Sequence, residues 1–368
     1  MTFEFRRREF LGGLGAIGVG LAFRPPSGPG PYVPLESPLA AVQAAAQRPA
    51  PHRIDIHQHF ISPSFLTTLT TRNATTPVPG LVNWKGWTPA RAVEALDQNA
   101  IATAMLSMTA PGVWLGTGAT AAADARRYAR ELNDYAAASM VGAYKGRFGL
   151  FAVMPIPDVD GSLREIEYAL DTLKAPGVGL LTSYGNQWLG DAAFAPIWQE
   201  LNRRKAIVYT HPTDAACCPN MVPGVNAQMF EYPTDTARAI ISLVASGTAA
   251  KYPDIRFIFS HGGGTITSVI GRLVGPTANG DGVTKPAAPD SRLAQLRRFF
   301  YDTAGAANQI NMGALKTLAS ASQIVFGSDA PFFDPAPTVA GLQGSGFTAA
   351  ELMAVERDNA LKLLPALL

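Results

Sequence analysis

Cysteine is nearly absent from this chain: among 368 residues only Cys217 and Cys218 occur, and they are sequence neighbours. Adjacent cysteines close no useful loop and strain disulfide geometry, so the pair reads as two small thiols in a loop and no disulfide framework is expected. No other cysteine exists to complete a sulfur-based metal or redox site. A charge excess is missing as well. Lys and Arg number 30 against 28 Asp and Glu, a formal net charge of +2, which supplies no broad cationic field for nucleic acid or an anionic membrane. No nucleic-acid partner is expected.

Long apolar runs are also wanting. The stretch "RRREFLGGLGAIGVGLAF" places Arg6, Arg7 and Arg8 before an apolar segment that is too short and too glycine-rich to span a bilayer stably. It resembles a twin-arginine export signal, with Arg7 and Arg8 as the pair and Phe10-Leu11 following. A Pro/Gly-rich segment and the small residues Ala44, Ala45 and Ala46 come next. Residues 1–46 are therefore expected to be a signal peptide and linker, cleaved near Ala46, leaving an exported, periplasmic or extracytoplasmic protein with no stable membrane span. An uncleaved basic and hydrophobic tail is the alternative. Export of an already folded protein agrees with a metal loaded before transport.

What the chain does have is a hydrophobic content of 47%, enough for a large core. Short β-branched or apolar runs at 53–59, 101–107, 148–153, 177–182, 206–211, 255–261, 299–303 and 323–328 read as strands. Amphipathic helical stretches separate them, at 88–99, 124–144, 160–174, 191–204, 233–247, 263–273, 307–319 and 348–364. The segments 60–87, 212–232 and 274–289 read as irregular. This alternation predicts an α/β fold, a single TIM-type (β/α)8 barrel over 52–368, in preference to an open doubly wound sheet. No dinucleotide fingerprint follows the first strand, and "HGGG" at 261–264 lacks the Lys and Ser/Thr of a phosphate loop.

Four of the five histidines fall at strand ends: His57 and His59 close the first strand, His211 the fifth and His261 the sixth, while Asp329 follows the eighth. Side chains at i and i+2 of a strand share a face, so His57 and His59 point the same way, inward at the top of a barrel. Alone, each residue has an ordinary reading: a packed pair, a satisfied core histidine, a helix-capping aspartate. In a barrel, however, the carboxyl ends of all strands converge on one pocket. Imidazoles and carboxylates are the ligand types of Zn²⁺ and similar ions, so one divalent metal is expected. A second ion would call for a bridging group such as a carboxylated lysine at the fourth strand, but Lys174 lies before that strand, at the wrong end.

The motifs "DIHQHF", "THP" (210–212), "SHGGG" (260–264) and "FGSDAPF" (326–332), in this order, resemble the decarboxylase-type branch of the amidohydrolase superfamily. That branch includes aminocarboxymuconate semialdehyde decarboxylase and the resorcylate and salicylate decarboxylases. The resemblance implies that His57, His59, His211 and Asp329 hold the metal and that His261 stays off it as a catalytic acid/base. It also implies a homodimer in which Arg272, eleven residues after His261, binds a substrate carboxylate across the interface. The other substrate arginine of the semialdehyde decarboxylase is replaced here by Asn83, in "VNWKGW". The stretches "SMTAPGVW", "LLTSYGNQWLGD" and "HPTDAACCPN" are closer to bacterial relatives described as 6-methylsalicylate decarboxylase-like.

The implied reaction is non-oxidative decarboxylation of a small aromatic hydroxy-acid. A metal chelating the carboxylate and the ortho oxygen would orient the acid, and a proton delivered to the ring carbon would make C–C cleavage feasible. Asp329 is the expected donor, with its pKa raised once substrate displaces water, and His261 the group that stabilises or relays the proton. Trp87, Trp188 and Phe332 are candidate walls for a flat ring. The rival is metal-assisted hydrolysis of a lactone, ester or amide, with Asp329 as base, since the same ligands serve both reactions. A metal-bearing binding protein without turnover is a third reading.

Overall fold

The first strand begins where the alternation of Arg53, Asp55 and His57 with Ile54 and Ile56 begins, and all seven residues of β1 (Arg53–His59) are buried. The computed structural model describes residues 50–218, 221–280 and 282–367. The expected signal and linker at 1–46 lie outside them. Among the described residues no helix is long and apolar enough to cross a membrane.

Seven further strands complete the barrel sheet: β2 (Ile101–Ser107), β3 (Phe148–Val153), β4 (Gly177–Leu181), β5 (Ile207–His211), β6 (Arg256–Phe259), β7 (Phe300–Asp302) and β8 (Ile324–Val325). They make one sheet in chain order, and every neighbouring pair is parallel. Closure runs between β1 and the segment after β8. Ile56 N donates to Phe326 O at 2.9 Å, Asp329 N to His57 O at 2.8 Å and His59 N to Ala330 O at 2.8 Å. The TIM-type barrel expected from the alternation is thus present. Each strand lies within a few residues of its expected place, although β8 is only two residues long and gives way to irregular backbone before Asp329.

The main helices are α1 (Pro63–Asn73), α2 (Pro89–Gln98), α3 (Ala121–Tyr135), α4 (Val159–Glu167), α5 (Ala195–Arg203), α6 (Ala227–Ala245), α7 (Ile266–Val274), α8 (Arg292–Arg298), α9 (Gln309–Ala319), α10 (Pro335–Gln343) and α11 (Ala349–Met353), with a single turn at Thr248–Lys251. Helical turns continue from α11 through Asn359–Leu363. Three helices depart from the sequence reading, α1 within the supposedly irregular 60–87, and α8 and α10 outside every expected helical stretch. In α1 the threonines at 67, 68, 70 and 71 return their hydroxyls to the carbonyl four residues back. That self-bonding offsets their low intrinsic helix preference, while Ser62 caps the first turn with Pro63 following. Helix α6 begins six residues earlier than expected because it carries Pro233 in its interior. The Pro233 carbonyl accepts from Thr265 N at 3.1 Å and lies where a Cβ at Gly264 would fall. The glycine run after His261 is therefore a steric requirement for bringing that turn against α6.

The two cysteines are a further correction. Cys217 and Cys218 are joined as a vicinal disulfide, in the loop between β5 and α6.

One hydrophobic cluster fills the layer between strands and helices. A smaller one unites Phe151, Ile207, Tyr209, Ile258 and Val325 with Leu363 and Leu364. Arg256, which opens β6, donates to Leu363 O at 3.1 Å, so the chain end floors the barrel at the amino ends of its strands. The carboxyl ends stay free for chemistry. Near this floor, Arg53 Nε meets Glu356 Oε1 at 2.8 Å, both side chains being under 10% exposed. Removing one charge strands the other in a dry environment. Glu356→Ala should cost about 3 kcal/mol of unfolding free energy in a urea titration, whereas a change under about 0.5 kcal/mol would mean that water already screens the pair.

Candidate metal centre and active site

Two strand ends and two left-handed turns build the site. His57 and His59 leave β1 on one face, as their spacing requires, and their Nε2 atoms lie 3.0 Å apart. His211 ends β5. His261 and Asp329 follow β6 and β8, and both have positive φ, 55° and 68°. Such backbone costs about 1–3 kcal/mol per residue and persists only where the surroundings over-determine it.

Hydrogen bonds hold both turns. Asp302, closing β7, accepts His261 N at 2.8 Å and Ala304 N at 3.0 Å on one oxygen. Its other oxygen accepts the Tyr209 hydroxyl at 3.1 Å. Asp55, fully buried in β1, accepts the Ser328 hydroxyl at 2.5 Å, Ser328 N at 3.0 Å and His57 N at 2.9 Å. Burial pushes the Asp55 carboxyl up to about 7 despite these donors.

All four imidazoles are oriented the same way. Nδ1 of His57 faces Asp302 Oδ2 at 2.8 Å, that of His59 faces Ser107 O at 3.1 Å, that of His211 faces Pro212 O at 2.8 Å and that of His261 faces Ala304 O at 3.0 Å. An acceptor at Nδ1 requires the proton there, which leaves each Nε2 with a lone pair turned to the centre.

Asp329 completes the set. Its Oδ1 lies 3.3 Å from His57 Nε2, 3.0 Å from His59 Nε2 and 3.9 Å from His211 Nε2, while Oδ2 faces His261 Nε2 at 3.8 Å. Donor atoms about 2.1 Å from one ion stand roughly 3–4 Å from one another, so the arrangement fits a single divalent cation. The set whose ligand atoms all fall within 4.8 Å of one another is His57, His211, His261 and Asp329, with His261 in the place expected of His59, so His261 counts among the possible ligands.

The electrostatics ask for positive charge at this point. Burial works against charge on His57, but the carboxylates of Asp302 and Asp329 outweigh it and hold the ring up to about 10. Burial depresses His59 and, together with the neighbouring rings of His59 and His57, depresses His211 strongly. Burial alone would raise Asp329, yet the charge of His57 and the hydrogen bonds from His57 and His59 keep it well below the usual carboxylate range. A divalent ion satisfies the same field and releases the proton on His57.

Over the centre opens a cavity of about 520 Å³, whose lining includes Asn83, His211, Tyr232, His261, Asp329 and Phe332. Phe332 stands edge-on to His59 at 5.5 Å and to Trp84 at 5.4 Å. Gly80, with φ of 67°, leaves room for that ring where a Cβ would strike it. Trp87 does not line this cavity: it packs against Trp84 at 5.5 Å and so supports Phe332 at one remove. Trp188 is also elsewhere, donating to Asp235 at 2.8 Å. Arg272 is exposed on α7 and is not among the residues lining this cavity.

A family model for amidohydrolases, Amidohydro_2, matches residues 54–366. The chain belongs to this amidohydrolase family. The amidohydrolase is 36% identical over 344 residues to the 6-methylsalicylic acid decarboxylase of Aspergillus aculeatus, covering 86% of this chain and 96% of that protein. It is 34% identical over 331 residues to the enzyme of the same name from Penicillium expansum, covering 86% and 97%. Among solved structures, a dihydroxybenzoic acid decarboxylase from Polaromonas with bound manganese and 2-nitroresorcinol superposes with a TM-score of 0.72 at 22% identity, covering 85% of this chain and 96% of that one. That last likeness shows the shared barrel.

Sequence reasoning missed Asp302, Asp55 and Tyr232 in this amidohydrolase site. Asp302 carried the same signal as the chosen residues, a carboxylate at the carboxyl end of a strand. Tyr232 carried none, since it belongs to a helix placed too late in the chain. Asp302→Asn should weaken metal binding about 10–100-fold, by loss of the anion that orients and charges His57. Competition against a chelator of known affinity would measure this, and an unchanged constant would remove Asp302 from the site.

Proposed function

We propose that this amidohydrolase is a metal-dependent, non-oxidative decarboxylase of a small aromatic hydroxy-acid of the 6-methylsalicylate or resorcylate type. The observation that carries the reading is the convergence of three Nε2 lone pairs and Asp329 Oδ1 beneath a cavity of about 520 Å³, which holds a substituted ring. The 6-methylsalicylic acid decarboxylases that match along nearly their whole length support the substrate class.

We assign one divalent ion to His57, His59, His211 and Asp329, with Zn²⁺ the first candidate and Mn²⁺, present in the Polaromonas neighbour, the second. The division of the Asp329 oxygens supports leaving His261 off the ion: Oδ1 faces the three other rings and Oδ2 faces His261. When bound, the ion supplies Lewis-acid chelation of the substrate carboxylate and its ortho oxygen.

The protein's own groups then handle the proton. Asp329 is anionic in the free site, and arrival of a carboxylate that expels water raises its proton affinity. Oδ2 delivers the proton to the ring carbon bearing the carboxylate. His261, fixed by Ala304 O, restores that proton from solvent. Ring protonation turns the carbon tetrahedral, and the C–C bond breaks to release CO2 as its electron pair returns to the ring. Phe332 holds the ring plane from the His59 side.

The test is incubation of metal-loaded protein with 6-methylsalicylate in heavy water. Release of CO2 with deuterium at the vacated ring carbon supports the lyase. Acid release from lactones or esters, with no CO2 from any hydroxybenzoate, would replace it with the hydrolase.

A further inference from the structure

The cavity wall away from the metal centre carries no cation. Its polar groups are the amides of Asn83, Asn226, Gln228 and Asn311 and the hydroxyl of Tyr232, and no Lys or Arg is among the described lining residues. The nearest arginine on α6, Arg238, is already engaged, 3.2 Å from Glu231 and 3.7 Å from Asp235. Burial holds the Tyr232 phenol up, and the field of Asp214, which lines a neighbouring cavity, adds to it.

The two flanks of the cavity differ in chemistry. Phe332 presents an apolar edge beside His59, whereas Tyr232, 9% exposed, stands edge-on to His211 at 6.1 Å. A ring seated between them meets hydrocarbon on one side and a neutral hydrogen-bonding group on the other.

We propose that this neutral wall selects substrates bearing a single carboxylate on an otherwise uncharged ring, with Tyr232 as the residue that recognises a second ring hydroxyl where the substrate carries one. The inference rests on the decarboxylase reading above and adds to it the exclusion of dicarboxylates. One carboxylate is neutralised at the metal. A second, pointing at amides, would be desolvated without a counter-charge.

The experiment compares 6-methylsalicylate with 4-hydroxybenzene-1,3-dicarboxylate, by CO2 release and by quenching of tryptophan fluorescence as a measure of binding. The diacid should be poorer by at least about 100-fold in both readouts. Gln228→Arg, which brings a cation onto the wall, should narrow that ratio about tenfold, with Asn311→Arg as the second variant if the first does not fold. Tyr232→Phe should raise KM about tenfold for 2,6-dihydroxybenzoate, whose second hydroxyl is not used at the metal, at nearly constant kcat and unchanged metal content. A diacid used within about threefold of the monoacid would overturn the proposal, and sensitivity of that use to Arg272→Ala would trace the counter-charge to a second copy. Tight binding of the monoacid alone without turnover would keep the selectivity and remove the decarboxylase reading.

Discussion

Replacing His261 by Asn should lower kcat/KM for decarboxylation about 10³-fold while the protein keeps its full complement of metal. Asparagine retains a donor toward Ala304 O, which His261 Nδ1 faces at 3.0 Å, so the turn and its positive φ are preserved; asparagine tolerates that backbone better than most residues. What disappears is the Nε2 facing Asp329 Oδ2, and with it the path by which the carboxyl group regains a proton. Since the proposed mechanism protonates the ring carbon before the C–C bond breaks, loss of this path should fall on kcat more than on KM. Elemental analysis beside the kinetics separates the two roles open to this histidine. Metal lost in parallel with activity would make His261 a ligand, as its place within the 4.8 Å cluster allows.

The second large effect is expected at the opening pair. His57→Ala combined with His59→Ala should abolish metal binding and lower turnover by at least about 10⁴-fold, to the level of the metal-stripped protein. The pair supplies two donors whose Nε2 atoms stand 3.0 Å apart, and each lies within 3.3 Å of the same Asp329 oxygen. Without them, Asp302 and Asp329 become buried anions with no facing cation, so the fold should lose stability in the same variant. His57→Gln alone is the gentler control, since its amide can still reach Asp302. Circular dichroism distinguishes a folded, metal-free protein from an unfolded one, and a folded variant that still binds an ion would move the site elsewhere.

Much of this arrangement was legible in the sequence because a barrel converts chain position into spatial position. Residues at the carboxyl ends of strands meet whatever their separation along the chain, so His57, His59, His211, His261 and Asp329 could be brought together from alternation alone. The same logic was not carried through to Asp302, although "FFYDTAG" ends the seventh strand in the same manner. Elements whose stability comes from unusual local bonding were harder to read. The threonine-rich α1 and the proline-bearing α6 violate helix propensity and are held by back-bonded hydroxyls and by packing against the turn at Gly264. Side chains at one remove, such as Trp87 behind Trp84 and Phe332, have no periodicity that separates lining from support. The vicinal pairing of Cys217 and Cys218 contradicted a rule of loop closure that carries no information about adjacent residues.

The most direct measurement is a metal titration of stripped protein, with CO2 release from 6-methylsalicylate followed at each addition. Activity should rise in proportion to bound ion and saturate at one equivalent per chain, and the double alanine variant at positions 57 and 59 should stay flat throughout. Full decarboxylase activity in protein holding less than about a tenth of an equivalent would contradict a catalytic centre built on these imidazoles.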